Sequence, residues 1–386
     1  MNTIHRVLFQ NAKSMKAIKS GSIDLMVTSP PYPMIEMWDD VFKDKNPKIQ
    51  KALDEENGDA AFELMHQALD AVWKEVVRVL RTGGFACINI GDATRTVHDH
   101  FRLYPNHSRI QSALHQKGLS SLPAVIWRKQ TNAPNKFMGS GVLPAGAYVT
   151  LEHEYVLIFR KGGKREFFTA KDRLERQKSA LFWEERNQWF SDVWMDLKGA
   201  RQGLIDKNVR KRSGAFPFEL PYRLINMYSV KGDTVLDPFL GTGTTMLAAM
   251  ASGRNSVGVE VDENFKEIID AQFESIVDFS NDHISRRLER HEAFVTDRLQ
   301  TKGSLKHTNC HYGFPVIMNQ EKNLMFNYLT AARKTDPGCF EVDYSDEPMF
   351  KSIVQAQTPA QAPDMPEKGT GPENEKKKYE QLELKL

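Results

Sequence analysis

The stretch Val235-Leu-Asp-Pro-Phe-Leu-Gly-Thr-Gly-Thr-Thr245 decides the fold class of this chain. Its apolar start predicts a buried strand, and the residues after Gly243 predict the first turn of a helix. Gly241 and Gly243 let the backbone approach a ligand closely at the turn. Glu260 ends the next predicted strand about 20 residues later, where an acidic side chain usually binds ribose hydroxyls. This strand–turn–helix unit therefore predicts a site for a nucleoside cofactor.

Other interpretations of the glycine turn differ in their ligand. A nicotinamide cofactor fits the same geometry, although the third glycine of its usual fingerprint is missing. A phosphate-binding P-loop is disfavoured because no lysine follows the glycines. A tight turn that binds nothing is the purely structural alternative.

Short apolar strands alternate with helices along most of the chain, which predicts a mostly parallel sheet covered on both faces. The predicted strands span residues 5–10, 23–28, 85–90, 124–127, 155–159, 234–237 and 256–260. The predicted helices span residues 11–19, 60–80, 109–117, 218–228, 244–251 and 264–276. Residues 33–58 are predicted to form a mobile loop, residues 161–212 have no clear period, and the pattern weakens beyond Asp282.

Composition excludes several classes of protein. The 386 residues can form one large α/β domain with additions, and 40% hydrophobic and 26% charged residues are ordinary for a soluble globular protein. A formal charge of only +2 means that a nucleic-acid site must come from local clusters of basic residues. The 3 cysteines are irregularly spaced, which argues against a disulfide framework, and no stretch approaches the roughly 20 apolar residues of a membrane span. We therefore expect a cytoplasmic protein.

A second stretch, Thr28-Ser-Pro-Pro-Tyr32, ends an apolar strand at the sheet edge where ligands bind in open α/β folds. The double proline fixes the backbone and leaves the Pro30 carbonyl outside the strand ladder. This carbonyl and the Ser29 hydroxyl accept hydrogen bonds and suit an NH2 donor, while Tyr32 offers an aromatic face to an unstacked base. The alternative is a strand-terminating turn with a packed tyrosine.

Two such acceptors suit methylation of an exocyclic amine. The lone pair of cytosine N4 is delocalised into the ring, which makes this nitrogen a poor nucleophile. Acceptors that pull on its hydrogens push the nitrogen towards tetrahedral geometry and expose the lone pair. Methyl transfer from a sulfonium then needs mainly in-line positioning. The two stretches together predict methyl transfer to an exocyclic amine of DNA.

On these residues the chain resembles the amino-methyltransferases of DNA, which make N4-methylcytosine or N6-methyladenine. Ser29-Pro-Pro-Tyr32 matches the catalytic motif (Asp/Asn/Ser)-Pro-Pro-(Tyr/Phe) of that family, and residues 237–245 match its cofactor motif. Similarity also lies at residues 78–84, 124–129, 154–161 and 216–225, so the resemblance covers about residues 3–280. The catalytic motif comes first, in the permuted order called β. The resemblance implies an α/β fold with a doubly wound, mostly parallel, seven-stranded Rossmann-like methyltransferase sheet and circularly permuted motifs.

The resemblance also implies the cofactor and the roles of individual residues. S-adenosyl-L-methionine is the expected cofactor, and no metal is expected. Catalysis is assigned to Ser29, Pro30, Pro31 and Tyr32. Cofactor binding is assigned to Thr28, Phe216, Asp237, Pro238, Phe239, Gly241, Thr242, Gly243, Thr244 and Glu260. A zinc site is the alternative for His307, Cys310, His311 and Cys339, but their spacing matches no standard pattern.

The serine form of the catalytic motif, preceded by threonine, is similar to the cytosine-N4 members, whereas adenine members more often carry aspartate. We therefore expect N4 methylation of a flipped cytosine in double-stranded DNA, within a restriction–modification system of a bacterium. Adenine-N6 methylation by the same site is the alternative, and a dead DNA-binding module or an RNA or protein methyltransferase is more distant. Cytosine-C5 methylation is rejected because Cys87, Cys310 and Cys339 do not follow a proline.

DNA contacts are predicted from basic clusters and one aromatic residue. The basic residues are Lys207, Arg210, Lys211 and Arg212, then Arg286, Arg287 and Arg290; solvated surface charge is the alternative for each cluster. Trp38, in the predicted loop at residues 34–44, is expected near the flipped base. Residues 1–280 are predicted to form the catalytic domain. Target recognition is expected in an insertion at 163–212, in a C-terminal extension at 281–350, or in both.

Residues 351–386 are predicted to form a disordered tail because they are rich in Pro, Glu, Lys and Gly. The last six residues resemble the peptide by which bacterial proteins dock on the DNA-polymerase sliding clamp, and the expected docking residues are Gln381, Leu382, Leu384 and Leu386. An edge strand or a frayed end is the alternative. The expected partners are double-stranded DNA, a cognate restriction endonuclease and the clamp. A nucleoid-associated monomer or homodimer without membrane contact is expected.

Overall fold

The computed structural model describes residues 1–44, 46–129, 138–199 and 216–354. Its strands are β1 (Asn2–Phe9), β2 (Ile23–Thr28), β3 (Leu80–Ile90), β4 (Ala93–Val97), β5 (His100–Tyr104), β6 (Leu119–Arg128), β7 (Met138–Gly139), β8 (Ala147–Tyr148), β9 (His153–Lys161), β10 (Val193–Trp194), β11 (Thr234–Asp237), β12 (Asn255–Glu260), β13 (His307–Thr308), β14 (Pro315–Val316), β15 (Leu329–Asp336) and β16 (Cys339–Tyr344). Its helices are α1 (Asp39–Lys43), α2 (Pro47–Asp54), α3 (Gly58–Val79), α4 (Asn106–Gln116), α5 (Ala170–Lys178), α6 (Trp183–Trp189), α7 (Glu219–Tyr228), α8 (Thr244–Ala251), α9 (Phe265–Glu274) and α10 (Ile276–Lys302). Among the helices described, none is both long enough and apolar enough to cross a membrane.

The central sheet has ten strands in the order β10-β6-β9-β3-β2-β11-β12-β1-β16-β15. The five strands from β3 to β1 are parallel, whereas β9 and β16 run antiparallel to both of their neighbours. The strands from β6 to β1 form the mostly parallel sheet that the sequence predicts. These are the seven strands that the resemblance implies; β10 extends one edge of them and the β15–β16 hairpin extends the other, which gives ten strands in all.

Helices cover both faces of the sheet. Successive side chains of a strand point to opposite faces, so neighbouring strand residues pack against different helices. In β2, Met26 belongs to the apolar cluster that contains α3, whereas Leu25 and Val27 belong to the cluster that contains α7 and α8. The same alternation occurs in β3, where Ile88 faces the first cluster and Cys87 the second. This arrangement is the doubly wound fold that the sequence predicts.

The β15–β16 hairpin belongs to the core, although the sequence pattern of this segment is weak. Phe340, Val342 and Tyr344 are buried in a cluster with Val7 of β1 and Phe273 of α9. These three side chains alternate along β16, so one face of the hairpin is apolar. The hairpin therefore covers the edge strand β1, with which β16 pairs.

Most of the described part of residues 33–58 is helical, so the prediction of a loop is wrong for those residues. A 3₁₀ turn at Glu36–Trp38 precedes α1 and α2. The Asn46 side chain caps α2 by accepting the backbone N–H of Lys48 at 3.1 Å. Burial of Ile49 fixes α2 against the core.

Residues 11–19 form turns instead of the predicted helix. Two nitrogens of Arg78 donate to the carbonyls of Met15 and Ile18, at 2.9 and 3.0 Å. The guanidinium thus supplies donors to both carbonyls, and the Ile18 N–H also donates to the Met15 carbonyl at 2.9 Å in a turn. Met15 and Ile18 nevertheless remain buried.

The two segments predicted as alternatives for target recognition pack against each other. Phe182, which precedes α6, stacks on His291 of α10 with ring centroids 3.7 Å apart. Glu185 of α6 forms a buried ion pair with Arg287 of α10. We call this packed region, residues 180–189 and 276–328, the α6–α10 unit.

Candidate active site

The two sequence motifs meet at the carboxyl edge of the sheet. Strands β2 and β11 are parallel neighbours, with Leu25 opposite Val235. The segments that follow these strands therefore leave the sheet at the same edge, where ligands bind in open α/β folds. A cleft of about 1540 Å³ lies between the two segments.

The cleft brings together most of the residues predicted for the site. Its lining includes Trp38, the four catalytic-motif residues Ser29, Pro30, Pro31 and Tyr32, and the cofactor-motif residues Phe216, Asp237, Pro238, Phe239, Gly241, Thr242, Thr244 and Glu260. Thr28 and Gly243 are not part of the lining. The Thr28 side chain is buried, and the part of this residue in cofactor binding stays a prediction.

Asp237 joins the two motifs through three hydrogen bonds. Thr28 Oγ1 and the Phe239 N–H donate to its Oδ1 at 2.5 and 3.0 Å. Thr245 Oγ1, on α8, donates to its Oδ2 at 2.6 Å. Burial raises the pKa of Asp237 to about 6, although these donors favour the charged form. The carboxylate therefore fixes β2, β11 and α8 relative to one another.

The glycine turn needs left-handed backbone at two positions. Gly241 and Gly243 have φ angles of +53° and +88°, which residues with a Cβ rarely adopt. Gly243 is the N-cap of α8. A Cβ on Gly241 would meet no protein atom within 4 Å, so the space beside this residue is open to a ligand.

Glu260, at the end of β12, holds its carboxylate beside the glycine turn. Its Oε2 accepts the N–H of Gly241 at 2.7 Å, and its Oε1 accepts those of Val261 and Asp262 at 2.8 Å each. Burial raises the pKa of Glu260 against the opposing effect of these donors. The Glu260 carboxylate and the apolar Phe239 both line the cleft, and this combination suits the ribose and ring of a nucleoside.

The catalytic motif lies in a polar network centred on Tyr32. The Tyr32 hydroxyl accepts hydrogen bonds from Ser29 Oγ at 3.1 Å and from Asn89 Nδ2 at 2.9 Å, and it donates to Glu154 Oε2 at 3.0 Å. Lys129 Nζ donates to Glu154 Oε1 at 2.8 Å. Sequence patterns alone assign no individual role to Asn89, Lys129 or Glu154. The sequence feature that could have identified these three residues is a polar side chain within or next to an apolar strand, at the sheet edge where the cleft lies.

The chain reverses direction directly after the catalytic motif. Met34 has a φ of +66°, which is uncommon for a residue with a side chain and costs about 1–3 kcal/mol. Burial of the Met34 side chain and a 3.3 Å hydrogen bond from its N–H to Met65 Sδ offset this cost. The reversal leads into the 3₁₀ turn that brings Trp38 to the cleft.

The basic residues predicted to contact DNA differ in their exposure to solvent. Arg287 is buried and donates to Glu185 and Tyr222, so the predicted phosphate contact is wrong for this residue. Arg286 is exposed and pairs with Asp282 on the same helix, and its role stays a prediction. Lys207, Arg210, Lys211 and Arg212 lie outside the described residues, as do the tail residues Gln381, Leu382, Leu384 and Leu386. Within the parts of the chain that the structure describes, no three His, Cys, Asp or Glu side chains are grouped to hold a metal.

Comparison with known proteins places this site in a family. The DNA methylase model N6_N4_Mtase matches residues 23–271. Type II methyltransferase M.MthZI of Methanothermobacter thermautotrophicus is 51% identical over 347 residues, which are 90% of this chain and 96% of that protein. Type II methyltransferase M.MjaI of Methanocaldococcus jannaschii is 50% identical over 281 residues, 70% of this chain and 91% of that protein.

A solved structure has the same fold. The crystal structure of TTHA0409 from Thermus thermophilus, complexed with S-adenosyl-L-methionine, superposes with a TM-score of 0.54 at 31% identity. The match covers 71% of this chain and 96% of that one. Since the family model spans both motifs of the cleft and the M.MthZI match spans nearly the whole chain, this chain belongs to the N6_N4_Mtase family of DNA methylases.

Proposed function

We propose that this chain transfers a methyl group from S-adenosyl-L-methionine to N4 of a cytosine flipped out of double-stranded DNA. The observation that carries the proposal is the single cleft in which Ser29 and Tyr32 stand beside the glycine turn. Family membership supports DNA as the substrate. The complex of TTHA0409 with S-adenosyl-L-methionine supports the choice of cofactor.

The cofactor would be held by the half of the cleft that contains the glycine turn. Glu260 would accept hydrogen bonds from the ribose hydroxyls, and Gly241 would let the backbone approach the ligand closely. Phe216 and Phe239 would pack against its apolar parts. When bound there, the cofactor supplies a methyl group on a positively charged sulfur.

The base would be held by the catalytic motif. Ser29 Oγ and the Pro30 carbonyl would accept the two hydrogens of the amine, so that its lone pair is released from the ring and points into the cleft. The Tyr32 ring would stack on the flipped base. Catalysis then comes mainly from positioning, which is worth several kcal/mol in reactions of this kind (about 7–11 at most).

Cytosine is favoured over adenine because a serine stands where adenine-specific members more often carry aspartate. Adenine N6 is chemically the same kind of amine, so the same acceptors would serve it. The nature of the product therefore has to be measured directly.

The test is to incubate the protein with genomic DNA and tritiated S-adenosyl-L-methionine and to identify the labelled nucleoside by mass spectrometry. We expect label in N4-methylcytosine. Ser29→Ala should abolish labelling, whereas Ser112→Ala, an exposed change on α4, should not alter it. Label in N6-methyladenine would overturn the base assignment, and label in RNA or protein alone would overturn the DNA substrate.

The wider biological setting is also a proposal. The names of M.MthZI and M.MjaI as type II methyltransferases support a role in a restriction–modification system with a cognate endonuclease. We further propose that the α6–α10 unit reads the target sequence, that the enzyme acts in the cytoplasm at the nucleoid, and that residues 381–386 bind the sliding clamp. Sequencing of modified DNA should return one short motif. Calorimetry with a peptide of residues 376–386 should detect clamp binding, and no heat would refute that part.

A further inference from the structure

Methylation of an exocyclic amine releases a proton that needs an acceptor. The methylated nitrogen is cationic until it loses one hydrogen. Ser29 and Pro30, which would touch this amine, carry no negative charge. Among the described residues, Glu154 is a carboxylate hydrogen-bonded to the catalytic motif, and both Glu154 and Lys129 line the cleft.

The hydrogen bonds around Tyr32 fix the direction in which each hydroxyl points. Asn89 donates one amide hydrogen to the Tyr32 oxygen at 2.9 Å and the other to Glu154 Oε2 at 2.7 Å. The opposite amide orientation would bring the Asn89 oxygen against a carboxylate. An ionised carboxylate only accepts, so the Tyr32 O–H must donate to Glu154.

The same logic fixes the orientation of the serine hydroxyl. Since the only Tyr32 hydrogen goes to Glu154, the 3.1 Å contact between Ser29 and Tyr32 requires Ser29 to donate. The lone pairs of Ser29 Oγ are then free to accept the hydrogens of a base amine. Glu154 therefore determines, through Tyr32, that Ser29 acts as an acceptor.

Neighbouring charges and packing maintain these donor and acceptor roles. Lys129 Nζ lies 2.8 Å from Glu154 Oε1 and forms an ion pair with this carboxylate. Burial and the Glu154 charge raise the pKa of Tyr32, so its hydroxyl keeps its proton and remains a donor. Gly91 packs against the ring, and a Cβ there would come within 3.1 Å of Tyr32 Cε2, which fixes the ring position.

We propose that Glu154 is a positioning residue and the final proton acceptor for amine methylation, acting through Tyr32 and Ser29. The inference rests on the proposed methylation at Ser29 and holds for either base. An N–H bond of the methylated amine breaks and its proton passes to Ser29 Oγ. The proton of Ser29 passes to Tyr32, and that of Tyr32 passes to Glu154. The amine loses its positive charge, Glu154 loses its negative charge, and no further reactant is needed.

The test compares single-turnover rates at saturating cofactor and DNA. Glu154→Gln keeps the size of the side chain and removes its charge, and Tyr32→Phe keeps the ring and removes the relay hydroxyl. We expect each change to slow methyl transfer on the order of 100-fold, the range of a lost acid–base group. The double variant should be no slower than either single one, because both interrupt one path. Glu152→Gln, whose side chain pairs with Arg128 at the exposed surface, is the matched control and should keep the wild-type rate.

The pH dependence separates proton transfer from a purely structural role. The pH profile of the single-turnover rate should change shape in Glu154→Gln and keep its wild-type shape in Glu152→Gln, while both variants still bind cofactor and DNA. An unchanged rate in Glu154→Gln, or additive losses in the double variant, would overturn the proposal. If Glu154→Gln does not fold, a full rate in Tyr32→Phe would overturn it instead. N6-methyladenine as the wild-type product would refute the cytosine assignment alone, whereas no DNA product would refute both proposals.

Discussion

The Thr28 hydroxyl donates a 2.5 Å hydrogen bond to the Asp237 carboxylate and so joins the strand that ends in the catalytic motif to the strand that ends in the glycine turn. The two residues are 209 positions apart in the chain. The other oxygen of the same carboxylate binds Thr245 at the start of α8. A change at Thr28 should therefore affect the cofactor half of the cleft, although Thr28 does not line it.

The first prediction concerns this hydrogen bond. Thr28→Val keeps the shape of the side chain but leaves Asp237 Oδ1 with one donor fewer in a buried position. We expect the free energy of unfolding to fall by about 1–3 kcal/mol. We also expect the Kd for S-adenosyl-L-methionine to rise. Urea unfolding and calorimetry measure the two effects. Thr28→Ser, which restores the hydroxyl, should recover both values, and wild-type stability in Thr28→Val would contradict the role of the bond.

The second prediction concerns pH and stability. Burial raises the pKa of Asp237 to about 6 in the folded chain, above the usual value near 3.9 of an unfolded one. The folded state then binds a proton more readily, so the contribution of this group to stability is fully present below about pH 4 and is lost as pH rises to about 6. The unfolding free energy of the wild type minus that of Asp237→Asn should therefore decrease as pH rises from about 4 to about 6. A difference that grows with pH would show that the folded pKa is lowered instead.

The third prediction concerns cofactor affinity. Glu260→Gln removes the charge beside the glycine turn and gives up one acceptor oxygen. We expect the Kd for S-adenosyl-L-methionine to rise about tenfold, which equals about 1.4 kcal/mol. The single-turnover rate at saturating cofactor should change much less, because Glu260 would not touch the reacting atoms. Calorimetry tests the affinity, and Glu263→Gln, an exposed change nearby, is the control. Equal affinities for the two variants would refute the ribose contact.

Local sequence patterns were sufficient to predict the parts of the site that directly follow a strand. The strand that ends at Thr28 and the strand that ends at Asp237 are both short apolar runs, and each is followed by a segment rich in proline or glycine. Parallel strands place their carboxyl ends at one edge, so two such segments meet whenever the strands are neighbours. Helix α8, residues 244–251, was predicted with its observed bounds because the glycines before it mark its start.

The sequence could not predict contacts between residues far apart in the chain. Tyr32 donates a hydrogen bond to Glu154, which lies 122 positions later in the chain. Arg287 donates one to Glu185, which lies 102 positions earlier. A basic residue beside other basic residues is normally on the surface, so only the packing of α6 against α10 reveals that Arg287 is buried. The turns at residues 11–19 likewise depend on Arg78, which lies on another element.

The fourth prediction contrasts two adjacent arginines of α10. Arg287→Met removes the partner of Glu185 in a buried ion pair, and an uncompensated buried charge costs about 3–5 kcal/mol. Arg286→Ala breaks only an exposed pair with Asp282 and should cost less than about 1 kcal/mol. Urea unfolding measures both values.

The effects of the two changes on DNA binding should have the opposite order: Arg286→Ala should weaken it more than Arg287→Met. If Arg286 contacts a phosphate, Arg286→Ala should weaken binding of DNA and reduce the slope of log Kd against log salt by about 1. Arg287→Met, measured where it is still folded, should leave that slope unchanged, because its side chain is shielded by Glu185 and Tyr222. An unchanged slope in Arg286→Ala would place Arg286 among solvated surface charges. A reduced slope in folded Arg287→Met would mean that α10 opens to reach DNA, contrary to the buried ion pair.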